Sequence, residues 1–411
     1  MKSNIVASLD IGSYSIKVLV AQKIGRDWEI VAKSQVPSFG LRKGAVINIE
    51  ATAKNIQTLI AQIKREHNIK ISSVFVNIGG NHLYVIPSDG IISVSRADQR
   101  ISKEDIERVL QAAKAINIPH NDEVLDVFPR EYIIDDQKGI KDPEGLTGVR
   151  LEVKALLLCY FQPYFTNLTQ AVLNAGLQIN DITPSPLAAA QAVLTPQQKE
   201  LGVALIDIGS DTTSLVVFEE SELIHFAVFP IGSGNITKDI AIGLKTEIAI
   251  AEAIKKQYGT SMLSKAEKEK KDRITLNQTN KKIEIAGYDS AFSFTKKDLA
   301  DIIEPRVEEI LDLIQKELKK IGRQELLPAG VVITGGGAKI PKIKEFAKEK
   351  LRLNCQIGEP KDILGLEKDP EISTVAGLIL GGIVFGSEES IIGLTKGWRE
   401  GIKKFFKLFI P

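Results

Sequence analysis

Cysteine is scarce: the 411 residues contain two, Cys159 and Cys355, both in apolar surroundings and at no metal-ligand spacing. That excludes a disulfide framework and a thiolate zinc site, and leaves buried thiols in a reducing compartment as the expectation. Histidine is nearly as rare, and His67, His82, His120 and His225 are scattered without a cysteine or acidic cluster beside them, which argues against zinc. Net charge is almost absent, with Lys+Arg 53 against Asp+Glu 52, so no global field draws nucleic acid and any basic function must be local. Long hydrophobic runs are missing too. The longest, from Val375 to Phe385, is interrupted by Gly377, Gly381 and Gly382 and is too short to span a bilayer. Near the N-terminus a polar turn arrives too early for a signal-peptide core. The expectation is a chain that stays in the cytosol unless something holds it to a membrane surface. There is also no GxxxxGK[ST], and no GxGxxG placed after a first strand, so P-loop and Rossmann readings are poor.

What is present is a stretch that occurs twice. Residues 6–20 read VASLDIGSYSIKVLV, and residues 203–217 read VALIDIGSDTTSLVV. At a constant offset of 197 residues, Val6, Ala7, Asp10, Ile11, Gly12, Ser13 and Val20 meet Val203, Ala204, Asp207, Ile208, Gly209, Ser210 and Val217. Each copy is an apolar run into Asp-Ile-Gly-Ser, a polar turn, and a second β-branched run, which predicts a β-hairpin with an acid at its rim. Glycine at the tip lets backbone N–H groups approach a phosphate, and Ser or Thr hydroxyls add donors. An Asp before each glycine can hold Mg²⁺ through water. One such hairpin is usually only a turn. Two matched copies imply two similar domains pinching one nucleotide.

Taken in order, the first hairpin is followed by a strand at 28–36, a helical period over 49–66, and a short buried strand from Val74 to Ile78 closed by Gly79-Gly80. This order makes a layered α/β unit. Residues 83–164 read as an inserted subdomain with its own sheet: a strand pair at 83–95, a helix opened by the capping box at Ser102, and strands near 123–135 and 150–161. It holds no catalytic cluster and reads as an interaction surface. Pro184-Ser-Pro186 opens the small-residue helix LAAAQAVL (187–194), expected to pack closely between the two halves. After the second hairpin come helices at 235–243 and 247–258, the latter bearing Glu252 and Lys255, then a Lys-rich loop at 264–282 and short strands at 283–294. A long amphipathic helix over 296–321 is expected to bury Ile302, Val307, Ile310, Leu313, Ile314 and Leu318. The stretch VVITGGGAKIP (331–341) sends a β-branched strand into three glycines, where a flat base or sugar can meet bare backbone.

The end of the chain changes character. Residues 386–396 read as a linker, and 397–411 as a helix. At ~100° per residue, Trp398, Ile402, Phe405, Phe406, Leu408 and Phe409 fall within roughly 160° of a helical wheel. Arg399, Glu400, Lys403, Lys404 and Lys407 fill the other side. Aromatics on one face and basic residues on the other match an in-plane membrane-surface helix on anionic lipids. Docking of this helix on the protein's own core is the bland alternative. Stacking on nucleic acid fits less well, because the aromatics do not alternate with the lysines.

The two hairpins, the 187–194 helix, the Thr-Gly-Gly-Gly loop and the late VAGLILGG segment (375–382) resemble the five nucleotide-site motifs of the actin, heat-shock chaperone and sugar-kinase superfamily. The insertion and the basic tail resemble the FtsA family of bacterial cell-division proteins more narrowly. The resemblance implies an α/β, actin-like (ribonuclease H-like) two-domain ATPase fold with an inserted subdomain and a C-terminal amphipathic helix. It divides the chain into a first body (1–82, 165–198 and 369–385) carrying the insertion 83–164, and a second body (199–230 and 299–368) carrying a subdomain at 231–298. It implies ATP and Mg²⁺ as ligands, with Asp10 and Asp207 near the metal and in any catalysis. Gly12, Ser13, Lys17, Gly209, Ser210 and Thr212 would lie near phosphates, and Tyr14 and Asp211 would also belong to the nucleotide site. Glu252 and Lys255 would face the ribose, Gly335, Gly336 and Gly337 would line the adenosine with Lys339 also binding the nucleotide, and Gly232 and Gly234 would close the pocket. Trp398, Arg399, Ile402, Lys403, Phe405, Phe406, Lys407 and Phe409 would bind the membrane. The implied partners are the FtsZ C-terminal peptide, which would meet Lys296, Lys297 and Arg306, further copies of the chain in a filament, and other division proteins, at the cytoplasmic face of the inner membrane at the division site.

One position departs from the superfamily pattern. Where chaperones have Glu and actin has Gln to orient the attacking water, this chain has Ser185, and Gln191 is out of register to replace it, so slow or absent hydrolysis is expected. A PilM-like type IV pilus protein would share the site but not the tail. A small-molecule kinase would need a further general base beside the γ-phosphate.

Overall fold

The computed structural model describes residues 5–25, 27–263, 273–276, 292–361 and 363–386. The sheet of the first body runs in the order Gln178–Pro184, Ser73–Ile78, Ile5–Ile11, Ser15–Ile24, Asp27–Pro37. That of the second runs Cys355–Ile357, Val331–Thr334, Val203–Ile208, Thr213–Glu219, Glu222–Phe229. In both, an antiparallel three-strand meander adds parallel strands on the far side of its first strand. The sequence repeat is thus the start of a repeated topology.

The two bodies share apolar packing. Along Val203–Ile208, Val203 and Leu205 face the core of the first body, while Ala204, Ile206 and Ile208 face a separate core in the second. That period of two, with both faces apolar, is the signature of a strand buried on both sides. Between the bodies lies the helix Ser185–Val193, crossed by the helix Ser373–Gly386. Ala188, Ala189, Ala190 and Ala192 are buried in this region. A Cβ on Gly377 would lie 1.7 Å from the Ala188 carbonyl oxygen, so the backbones meet where only glycine fits.

The insertion forms its own sheet, in the order Tyr84–Ser93, Arg150–Phe161, Asp122–Ile134, Gln137–Ile140, backed by the helix Lys103–Lys114. Its small core includes Val109, Tyr132, Leu151 and Val153. The strand pair expected at 83–95 is instead one strand, because Tyr84–Ser93 finds its partner in Arg150–Phe161 rather than in a local turn. The Lys-rich stretch is not all loop. Arg273–Leu276 pairs with Phe292–Thr295, and the rest of 264–291 lies outside the described residues.

Thr295 caps the helix Lys296–Lys320 through a reciprocal hydrogen bond with Asp298. The buried stripe of this helix is Leu299, Ile303, Val307, Ile310, Leu311, Ile314 and Leu318. Ile302 and Leu313, expected inside, are only half-buried; Ile303, the next residue after Ile302, and Leu311, two before Leu313, take the centre of the stripe. Gly386, expected to open the linker, instead ends the helix Ser373–Gly386; the rest of the linker and the amphipathic segment 397–411 lie outside the described residues. Among the described residues, no helix is long and apolar enough to cross a membrane.

Candidate functional site

Hairpin register places the acids. Asp10, next to the end of Ile5–Ile11, stands opposite Lys17 on the return strand, and Asp207, next to the end of Val203–Ile208, stands opposite Ser214. The turns are tight. A Cβ on Gly12 would lie 3.0 Å from the Ser15 carbonyl oxygen, and one on Gly209 would lie 3.0 Å from that of Thr212. Parallel pairing of Val331–Thr334 with Val203–Ile208 then brings the Thr-Gly-Gly-Gly loop beside Asp207. Gly335 has φ +83°, and a Cβ there would lie 2.2 Å from Asp207 Oδ1, so both conformation and space demand glycine.

These elements wall a cavity of about 480 Å³ between the two bodies, a volume suited to a nucleotide-sized ligand. Of the residues singled out from sequence, Asp10, Gly12, Ser13, Tyr14 and Lys17 line it from the first body. Asp207, Gly209, Ser210, Thr212, Glu252, Lys255, Gly335, Gly336 and Lys339 line it from the second. Four lie elsewhere. Asp211 turns from the wall to accept the Lys43 backbone N–H at 3.2 Å. Gly232 and Gly234 stand behind the second hairpin, where a Cβ would lie 2.5 Å from the Ser210 carbonyl oxygen and 2.7 Å from Ser210 Oγ respectively. From there the start of the helix Ser233–Gly243 donates N–H groups to the Gly209 and Ser210 carbonyls, bracing the turn. Gly337 packs on Ile208, which a Cβ would approach to 2.3 Å, rather than lining the cavity.

The two acids share one electrostatic problem. Burial pushes the Asp207 carboxyl up to about 7, and the Asp10 charge adds to the rise against the pull of Lys17. Burial also pushes Asp10 up, against Lys17, whose ammonium lies 3.7 Å from its carboxylate. Lys17 is shared with Glu371 at 3.8 Å. Lys339 reaches Asp369 at 2.8 Å and Glu371 at 3.4 Å. Two carboxyls raised in this way on one cavity wall, Asp10 buried and Asp207 half-buried, suit a hard divalent cation. No group of three or more His, Cys, Asp or Glu side chains converges to form a metal cage among the described residues, so a cation there would draw further oxygens from water and ligand. The buried Ser15 hydroxyl, on the cavity wall, has no protein partner. Gly336 also faces the cavity, and a Cβ on it would meet only Glu371 Cγ, at 3.8 Å. This is a cradle left bare with no packing reason for it.

Asn77, Glu371 and Ser15 carry no local signal and were not legible beforehand. Asn77 accepts the Ile11 N–H at 2.7 Å and donates to Asp10 Oδ1 at 2.8 Å, fixing the carboxylate's orientation. Its amide also donates to Ser185 Oγ at 3.0 Å, and Ser185 donates to the Ile78 carbonyl at 3.1 Å. Gln191 is exposed, away from the cavity. Lys255 is bound by Glu252 at 2.6 Å, Thr237 at 2.8 Å and the Ser233 carbonyl at 3.1 Å, which stiffens this wall.

Arg306 is not an open cation for a partner. It pairs in bidentate fashion with Asp239, tying the helices Ser233–Gly243 and Lys296–Lys320 together, and it also meets Glu309. Lys296 and Lys297 are exposed in the first turn of their helix.

Comparison with known proteins settles the family. A profile described as "Cell division protein FtsA" matches residues 204–377, and one described as "SHS2 domain inserted in FTSA" matches residues 80–159, which coincide with the inserted sheet. The cell division protein FtsA of Bacillus subtilis is 37% identical over 377 residues, 92% of this chain and 83% of the relative. This chain belongs to the FtsA family. FtsA of Pseudomonas aeruginosa is 36% identical, covering 92% of this chain and 89% of its own, and FtsA of Escherichia coli is 32% identical, covering 91% and 89%. The family role, cell division, is the role of this protein. Among solved structures, a PilM–PilN type IV pilus biogenesis complex superposes with TM-score 0.65 at 19% identity, covering 93% of this chain and 99% of that one. MreB5 of Spiroplasma citri bound to ADP superposes with TM-score 0.56 at 13% identity, covering 94% and 98%. At such identities these show the actin-like fold alone, so PilM is a fold relative and the pilus reading gives way to cell division.

Proposed function

We propose that this FtsA-family protein binds ATP with Mg²⁺ in the interdomain cavity, assembles with further copies of itself, and links FtsZ to the cytoplasmic face of the inner membrane at the division site. The observation that carries the nucleotide reading is the bare Gly336 cradle, which lines the same cavity as two glycine-tipped hairpins, each with an acid at its rim. Mg²⁺, when bound, would neutralise phosphate charge between Asp10 and Asp207. The protein's own groups do the rest. Lys17 offers its ammonium to a phosphate in exchange for Glu371, the Gly12–Ser13 and Gly209–Ser210 turns present N–H and hydroxyl donors, and Gly335–Gly336 admits a flat base. The Ser185 hydroxyl is already engaged with Asn77 and Ile78 and is too short to orient a water, which favours weak or no hydrolysis. Gly336→Val keeps the fold and loses at least about tenfold in ATP affinity by filling the cradle. Calorimetric titration with ATP and Mg²⁺ checks this, and unaltered affinity sinks the reading.

The tether is the segment 397–411. Full-length protein is expected to pellet with anionic liposomes, and a chain ending at Gly393 to stay in the supernatant. Equal behaviour of the two at low salt removes the tail from membrane binding. For the FtsZ peptide, Lys296 and Lys297 offer exposed positive charge at a helix N-terminus, where acidic groups are favoured. Lys296→Glu with Lys297→Glu is expected to weaken capture of that peptide about tenfold, with a steep salt dependence in the wild type. Fluorescence anisotropy of a labelled peptide measures it, and a flat response excludes these two lysines.

A further inference from the structure

The two hairpins diverge at the residue that follows Asp-Ile-Gly-Ser. There the first copy has Tyr14 and the second has Asp211, again 197 positions apart. Each side chain leaves its own body and engages the opposite one. Lys256, on the helix Ile248–Tyr258 of the second body, donates to the Tyr14 hydroxyl at 3.0 Å, with its ammonium 4.9 Å from the ring centroid. Glu252, 3.5 Å from the same ammonium, helps hold it in place. In the other direction, Asp211 accepts the Lys43 backbone N–H of the first body at 3.2 Å. The next amide, of Gly44, donates to Ser13 Oγ at 3.1 Å, so one short loop is pinned to the tips of both hairpins. Tyr14 is 51% exposed, so core packing does not account for an aromatic at this tip. Tyr14 and Lys256 both border the cavity.

We propose that Tyr14–Lys256 and Asp211–Lys43 form a two-point clasp across the cleft mouth, which must open for a nucleotide to enter or leave and therefore sets its residence time. The proposal rests on the nucleotide reading for its consequence, but the clasp itself is a contact between the two bodies. Tyr14 and Asp211 act here as positioning residues: they hold the walls together rather than touching reacting atoms. Because both contacts are partly solvated, each is worth a modest factor, and it acts on entry as well as departure; departure is the rate that sets residence time.

The test uses full-length protein loaded with radiolabelled ATP and Mg²⁺, chased with unlabelled ATP. Tyr14→Phe and Asp211→Ala are each expected to speed ATP dissociation about fivefold. Asp211→Asn keeps an accepting oxygen and should stay within about twofold of wild type. Unchanged dissociation in both Tyr14→Phe and Asp211→Ala overturns the clasp. A second measurement needs no nucleotide: hydrogen exchange at the Lys43 amide in ligand-free protein. Tyr14→Phe, which touches no atom of Lys43, is expected to accelerate that exchange because one half of the clasp holds the other shut. Should wild-type protein retain no ATP at all, the nucleotide reading falls, and the exchange result alone decides the clasp. Lys43 exchange unchanged by Tyr14→Phe then overturns it.

Discussion

Gly377→Ala is expected to destabilise the protein by about 3 kcal/mol or more, measured by urea unfolding. In an ordinary helix the same change would stabilise by up to about 1 kcal/mol, because alanine loses less backbone freedom than glycine. Here the added methyl would lie 1.7 Å from the Ala188 carbonyl oxygen. That oxygen belongs to backbone, so relief requires the helix Ser185–Val193 to move bodily. Its first residue, Ser185, stands on the cavity wall with Asn77, so the displacement would also reach the site. Gly381→Ala is the matched control. Its nearest neighbour would be Gln191 Oε1 at 3.4 Å, the far end of a flexible side chain, and there the helical gain should dominate. Equal stability changes at the two positions would show that the helix crossing is looser than the geometry states.

Asp207→Asn is expected to move stability and ligand binding in opposite directions. The folded carboxyl titrates at about 7, raised from 3.8 by burial and by the Asp10 charge. An acid raised on folding leaves stability highest below its unfolded value. Stability then falls as pH climbs toward the folded value, because the native state holds the proton that the unfolded chain has released. Above about pH 7 the whole penalty is in place, on the order of a few kcal/mol. Asparagine removes the charge at nearly constant shape. Ligand-free Asp207→Asn protein should therefore melt several degrees higher than wild type near pH 8, with little difference near pH 4. Its affinity for ATP with Mg²⁺ should drop about a hundredfold, while affinity for ATP without the metal changes far less. Scanning calorimetry at the two pH values and titration with and without Mg²⁺ separate the effects. A variant that binds ATP with Mg²⁺ as wild type does would remove Asp207 from the metal site.

The inserted sheet shows where local reading stops. Its helix was legible from Ser102, whose side chain and that of Asp105 cap each other's backbone over three residues. Its first strand was legible as extended chain but its pairing was not, because Tyr84–Ser93 pairs with a segment more than fifty residues away. Arg306 taught the same lesson in electrostatics. In the sequence it is a basic residue on the same predicted helix as Lys296 and Lys297, and only the packing of two helices brings Asp239 to it. Gly337 and Gly336 are adjacent and chemically identical, yet Gly336 is open to the cavity and Gly337 is packed against Ile208.

By itself the sequence determined the two hairpins, the rim position of each acid, the glycines of their tips and the strand feeding the third glycine loop. All of these follow from short-range rules of strand alternation and turn sterics, repeated at one offset. Tertiary structure alone decided which side chains meet over the cavity. Asn77 fixing Asp10, Glu371 competing for Lys17, and Tyr14 and Asp211 reaching across the cleft each join segments with no local relation. Such pairs leave no periodic trace in the chain, because they depend on how two separately patterned bodies pack against one another rather than on the spacing within either.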